Sequence, residues 1–139
     1  MATILTWEEG APDGVLEPAV QVLRAGGLVA CPTETFYALA VDARQEQALQ
    51  RLIALKARPE DKALLVLVAD RQMVAEVAES ISPLALRLMT TFWPGPLTLI
   101  LPARPNLPRP LTGGTGTVGV RQSGHPLARE LCRLFGHPL

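Results

Sequence analysis

The chain has 139 residues, 48% hydrophobic and 19% charged, with thirteen basic and thirteen acidic side chains that sum to zero. That balance excludes a disordered tail and argues against a dedicated nucleic-acid binder, which carries a basic excess. Two cysteines, Cys31 and Cys132, are too few for a disulfide scaffold, and the longest apolar run, Ala63 to Ala69, is far short of the roughly 20 residues a membrane span needs.

In chain order, the N-terminal stretch MATILTWEEGAP has neither a basic nor an apolar signal region, so a cytoplasmic protein is expected. Leu16, Ala19, Val20 and Leu23 follow helical spacing, and Gly26-Gly27 supplies the stop. Leu28–Cys31 reads as a buried strand ended by Pro32, Thr33–Thr35 as a polar turn, and Phe36–Val41 as strand or helix onset. A second helix is expected from about Gln45 to Lys56, ended by Pro59. Leu64–Val68 reads as a strand, and Asp70 as the cap of a helix through Ala78. Ser82-Pro83 opens a helix to about Trp93. Leu97–Leu101 is a strand, residues 102–112 a stiff proline-rich extended loop, Thr117–Arg121 a strand, and Pro126–Phe135 a helix stopped by Gly136. Helices alternating with short apolar strands imply an α/β fold with helices packed on a sheet.

The letters of Gly114-Thr-Gly-Thr-Val-Gly119 match a dinucleotide fingerprint, but a proline-rich loop precedes them and a strand follows, so that reading fails. A backbone nest for an anion and a plain turn both remain open there. Two histidines, His125 and His137, exclude a His-rich metal site, and no metal is assigned to the side chains. His125 is expected to cap the last helix, and both cysteines to be buried small hydrophobes.

Three cations, Lys56, Arg58 and Lys62, occupy one seven-residue window at a helix end. The helix dipole favours cations there, and a phosphate clamp needs the same residue types. Pro32-Thr33-Glu34-Thr35 follows a buried strand, where α/β proteins place ligands. Arg121 ends an otherwise apolar strand and needs water or an anionic partner, which points to a carboxylate ligand.

At these segments the sequence resembles a known family. GGLVACPTETFYALAVDA, LKARPEDKALLVLVAD, FWPGPLTLILPA and TVGVRQSGHPLA are similar, in order and spacing, to successive blocks of the YrdC/Sua5 family, the L-threonylcarbamoyladenylate synthases. The resemblance implies a YrdC-like twisted mixed α/β sheet with helices packed on it and an open concave face. It implies the conversion of ATP, L-threonine and bicarbonate to threonylcarbamoyl-AMP and pyrophosphate, with Mg2+ accompanying ATP, for t6A modification of tRNA. Possible further partners are tRNA or other RNA and proteins of the same pathway, with no membrane. By position, Thr35 and Arg121 would contact threonine. Lys56 and Arg58 would serve the reaction at the phosphates, with Arg58, Lys62 and Thr117 on the nucleotide.

The sequence also departs from the family. Ala38 and Ala40 stand where glycines are usual, Ala63 replaces a common proline, and Leu67 replaces a threonine-contacting histidine of some relatives. The family's S-x-S-A-N motif would follow directly after His137-Pro138-Leu139. Residues 1–139 are therefore expected to be a single domain incomplete at the C-terminus, with poor catalysis. The alternatives are a non-catalytic nucleotide- or RNA-binding module of the same fold, and a carbamoyl-transfer domain like that of hydrogenase maturation proteins.

Overall fold

The computed structural model describes residues 2–139. Helix α1 (Glu17–Arg24) starts with Pro18 in its first turn and buries Ala19, Val20 and Leu23. Gly26, at φ +75°, closes it, and the Gly27 amide bonds back to the Val22 carbonyl at 2.8 Å. Strands β1 (Val29–Pro32) and β2 (Tyr37–Ala40) form an antiparallel hairpin in which Cys31 opposes Ala38 and Val29 opposes Ala40. The Phe36–Val41 segment, open between strand and helix in the sequence, is thus a strand. Its partner β1 supplies the hydrogen bonds that decide it.

Helix α2 (Glu46–Lys56) stops earlier than Pro59 requires, because Ala57 adopts the left-handed conformation at φ 47°. Beyond it, β3 is only Val66–Leu67, and it pairs in parallel with β5 (Thr117–Arg121). Helix α3 (Pro83–Phe92) begins at Ser82, whose hydroxyl accepts from the Ala85 amide at 3.1 Å. Strand β4 (Leu99–Pro102) pairs antiparallel with β5. Helix α5 (Pro126–Phe135) is capped by His125, whose Nδ1 accepts from Leu127 N at 3.1 Å.

Three expectations need correction. The segment after Asp70 is a 3-10 turn at Met73–Glu76 and not a helix to Ala78. Asp70 does accept from the Met73 amide at 2.9 Å. However, the chain then leaves the helical path to bridge Ala78 to Ala103, with Arg104 N on the Val77 carbonyl and Glu79 N on the Pro102 carbonyl, both at 2.9 Å. The proline-rich loop is not extended throughout, since Arg109–Thr112 forms a one-turn helix, α4, with Pro110 inside its first turn. Buried Pro110 and Leu111 hold it, and the Pro110 carbonyl accepts from Leu64 N at 3.0 Å. Finally, the strands form two separate sheets, β1-β2 and β3-β5-β4, the second mixed.

Apolar burial divides accordingly. One cluster joins α2, α3, α4 and the three-stranded sheet through Leu49, Leu52, Val66, Met89, Leu111, Val118 and Val120. The other joins α1, α5 and the hairpin through Val20, Leu23, Cys31, Leu131, Cys132 and Phe135. Strand β3 lies between them, with Val66 in the first and Leu67 in the second. Burial pushes the Cys31 thiol up to about 11 and raises that of Cys132 as well, so both behave as inert apolar side chains.

Leu131 is 1% exposed, so Leu131→Ala should cost about 2–5 kcal/mol in urea unfolding. Ala57→Gly should act oppositely. A left-handed conformation costs an L-residue about 1–2 kcal/mol, more than the roughly 0.5–1 kcal/mol that glycine's unfolded-state freedom removes. Its denaturation midpoint should rise.

Candidate functional site

The turn between β1 and β2 is built by Thr33. Its hydroxyl donates to the Phe36 carbonyl at 2.7 Å and accepts from the Phe36 and Thr35 amides at 3.2 and 3.3 Å. Thr35 Oγ1 lies 3.1 Å from Thr33 Oγ1. It keeps at least one lone pair for a ligand. Phe36 and Tyr37 follow, exposed by 83% and 78%.

This turn forms one rim of a cavity of about 240 Å³ lined also by Lys56, Arg58 and Arg121. Four of the six residues singled out by sequence therefore meet there: Thr35, Lys56, Arg58 and Arg121. Lys62 and Thr117 do not line it. Lys62 lies in the turn before β3 and Thr117 opens β5, just after the glycine turn; these two turns touch, since a Cβ on Gly113 would lie 2.7 Å from the Asp61 carbonyl and 3.1 Å from Ala63 N. Gly113 itself needs its φ of +60°, so only glycine fits that contact without displacing the backbone.

Arg58 is anchored by its own turn, with Nη2 on the Ala63 carbonyl at 2.8 Å and Nε on the Lys62 carbonyl at 3.4 Å. Among the described residues, none of Lys56, Arg58 and Lys62 is ion-paired. The anion nest considered for the glycine turn is not available. The Gly113, Gly114, Thr115 and Thr117 amides already bond to Arg109 O, Thr112 Oγ1, Thr112 O and Thr115 Oγ1.

Arg121 has an anionic partner within the chain. Its Nη1 lies 3.2 Å from Glu34 Oε1, while Nε and Nη2 both donate to Thr98 Oγ1, at 3.1 and 2.9 Å. Two of the five guanidinium N–H groups are left over. Glu34 Oε2 accepts from the Ser123 hydroxyl and, at 3.0 Å, from Gly124 N. Sequence reading gave Glu34, Thr98 and Ser123 no individual role at this site. The usable signal was that Arg121 needed water or an anionic partner and Glu34 was the acid inside the ligand-prone turn.

The departures from the family pattern settle into this frame. Ala38 and Ala40 lie in regular β2 pairing, and Ala57 is the only described non-glycine residue with positive φ. Their methyl groups therefore cause no backbone strain. Leu67 is a buried apolar wall of the cavity. Leu139 also lines it, exchanging hydrogen bonds of 2.7 and 3.0 Å with Leu67.

Burial raises the Glu34 carboxyl, but hydrogen bonds from Ser123, its own backbone and Gly124, together with the Arg121 charge, outweigh this and leave it below its ordinary 4.5. Asp42, 1% exposed, is likewise desolvated, yet hydrogen bonds from Arg44 and Gln45 hold it below 3.8. For depressed carboxylates the unfolded chain takes up protons first. Their contribution to stability is complete above the unfolded values and lost as pH falls through the lower folded ones. The melting temperature should be flat from about pH 7 to pH 5 and fall below about pH 4. Glu34→Gln should make that fall shallower, and an unchanged acid limb would contradict the assignment.

Three comparisons bear on the family. Residues 21–139 match the Sua5/YciO/YrdC family model, whose description reads telomere recombination. A threonylcarbamoyl-AMP synthase of Pyrococcus abyssi is 38% identical over 139 residues, covering 100% of this chain and 41% of that protein. P. abyssi Sua5 complexed with L-threonine superposes with a TM-score of 0.89 at 39% identity, over 94% of this chain and 38% of that one. Escherichia coli YciO gives 0.82 at 26%, over 93% and 63%. The chain thus spans well under two thirds of the P. abyssi protein. The fold is the mixed α/β arrangement of these structures, and the chain belongs to the Sua5/YciO/YrdC family.

Proposed function

We propose that this chain serves threonylcarbamoyl-AMP synthesis, in which ATP, L-threonine and bicarbonate give threonylcarbamoyl-AMP, pyrophosphate and water. The observation that carries this reading is the uncompensated charge of Lys56 and Arg58 on the same cavity as Thr35 and Arg121. Attack of a carbamate oxygen on the α-phosphate needs no protein nucleophile. It builds negative charge on phosphoryl oxygens and on departing pyrophosphate, so positioned cations do most of the work.

In this reading Lys56 is a point charge on the phosphates and Arg58, already locked by the Ala63 carbonyl, offers a fixed fork. Lys62, in the turn before β3, and Thr117, at the start of β5, lie outside the cavity lining and take the far part of the nucleotide. Arg121 uses its two remaining N–H groups on the threonine carboxylate, and Thr35 Oγ1 accepts from the amino acid's amine or hydroxyl. Among the described residues no group of three or more His, Cys, Asp or Glu could hold a metal ion. Mg2+ is proposed to enter with the nucleotide substrate and would add positive charge at the phosphates beside Lys56 and Arg58.

The likeness to threonylcarbamoyl-AMP synthases supports this reading over a non-catalytic RNA-binding module, as does the zero net charge, which offers no general attraction for phosphate backbones. The product would serve t6A modification of tRNA, so tRNA or other RNA and proteins of that pathway are the proposed partners and the cytoplasm the proposed site. Among the described residues no helix is long and apolar enough to cross a membrane.

Calorimetry with Mg-ATP should show a loss of about tenfold or more in affinity for the Lys56→Ala/Arg58→Ala variant, as expected for removing two charge-assisted contacts. An unchanged affinity would sink the phosphate assignment. Pyrophosphate release should require both threonine and bicarbonate, and release indifferent to either would remove the reaction.

A further inference from the structure

We propose that Glu34 is a positioning residue, which holds the Arg121 guanidinium at the orientation that leaves its two free N–H groups on the cavity for a ligand carboxylate. The proposal rests on the amino-acid reading above for the identity of that ligand. Arg121 lines the cavity, whereas Glu34 does not, so Glu34 acts through Arg121. Both are partly buried, with side chains 17% and 16% exposed, and a pair with this many fixed partners has few alternative geometries.

The partners are spread over four segments. Glu34 comes from the hairpin turn, Arg121 from the end of β5, Thr98 from the residue before β4, and Ser123 and Gly124 from the turn before α5. Ser123 is itself 1% exposed, and its Oγ also accepts from His125 N at 3.1 Å. The Glu34 Cβ sits 3.5 Å from where a Cβ on Gly124 would be, so the acid lies close against that turn. Oε2 is thereby held by the Ser123–Gly124 turn, leaving Oε1 to set Arg121 Nη1. Thr98 fixes the other edge of the same guanidinium plane. The arrangement also joins the hairpin to the three-stranded sheet, to which no strand pairing connects it.

Glu34→Gln keeps the shape and can still accept from Ser123 and Gly124 through its carbonyl. Its NH2 then faces Arg121 donor to donor. Ser123→Ala loosens Glu34 without changing any charge. The experiment measures L-threonine, threoninol and Mg-ATP binding by calorimetry for the 139-residue chain and both variants, together with the Arg121 Nε–Hε NMR resonance. Threonine affinity should fall about tenfold in Glu34→Gln, the scale of one charge-assisted hydrogen bond, and by a smaller factor in Ser123→Ala. Threoninol, which lacks the carboxylate, and Mg-ATP should bind as before, and the Arg121 resonance should shift or broaden in both variants.

Equal or tighter threonine binding in Glu34→Gln would overturn the proposal, because the acid would then be only a competing charge. A parallel loss for threonine, threoninol and Mg-ATP would also overturn it, as a general structural role. If the unsubstituted chain bound no threonine, the substrate reading would fail by itself. The Arg121 resonance would still decide the positioning role, since an unchanged signal in both variants rejects it.

Discussion

The Glu34–Arg121 ion pair is the constraint on which the cavity depends. The strands form two sheets with no pairing between them, and the candidate site lies where they face each other. An arginine ending a strand of buried valines carries a large desolvation penalty unless it is paired and hydrogen-bonded. Here it is paired across 87 residues of sequence, and its acid is secured in turn by Ser123 and Gly124. Breaking one partner would leave a partly buried charge uncompensated, so the pair defines one relation between hairpin and sheet as well as one orientation of the cation.

Around that fixed point the charges are sorted by use. Asp42 is engaged by Arg44 and by Gln45 at the start of α2, and Arg44 lies 5.7 Å over the Phe135 ring, which ties the segment before α2 to α5. Arg133 is spent on Asp13 and Glu130 at the surface, where such pairs contribute little. Among the described residues Lys56 and Arg58 have no acidic partner. Zero net charge thus conceals a local excess of positive charge on one cavity, offset by acids such as Glu60, Asp61 and Asp70 that line no part of it, and such local fields act on a ligand whatever the total.

Much of this was legible in the chain because the signals were local. Ser82-Pro83 and His125-Pro126 mark helix starts, Gly26 and Gly136 mark stops, and the strand Thr117–Arg121 declares itself by alternating apolar residues. The cation window was legible for the same reason, since Lys56, Arg58 and Lys62 are close in sequence. What could not be read there were outcomes of competition. A helix after Asp70 lost to the Ala78–Ala103 bridge, a proline-rich loop wound into α4 because Pro110 and Leu111 found a core to enter, and the glycine turn used its amides internally.

Sequence by itself determined the α/β alternation, most element boundaries and the family blocks, because propensity, capping and apolar periodicity act over a few residues. It also indicated that Arg121 needs water or an anionic partner. Only the tertiary structure decided that this partner is Glu34, that Thr35 joins Lys56, Arg58 and Arg121 on one cavity, and that Lys62 and Thr117 stand outside it. The physical reason is distance along the chain. Desolvation states that a buried cation needs an acceptor, but which acceptor arrives depends on how two sheets and five helices pack, and no local pattern encodes that.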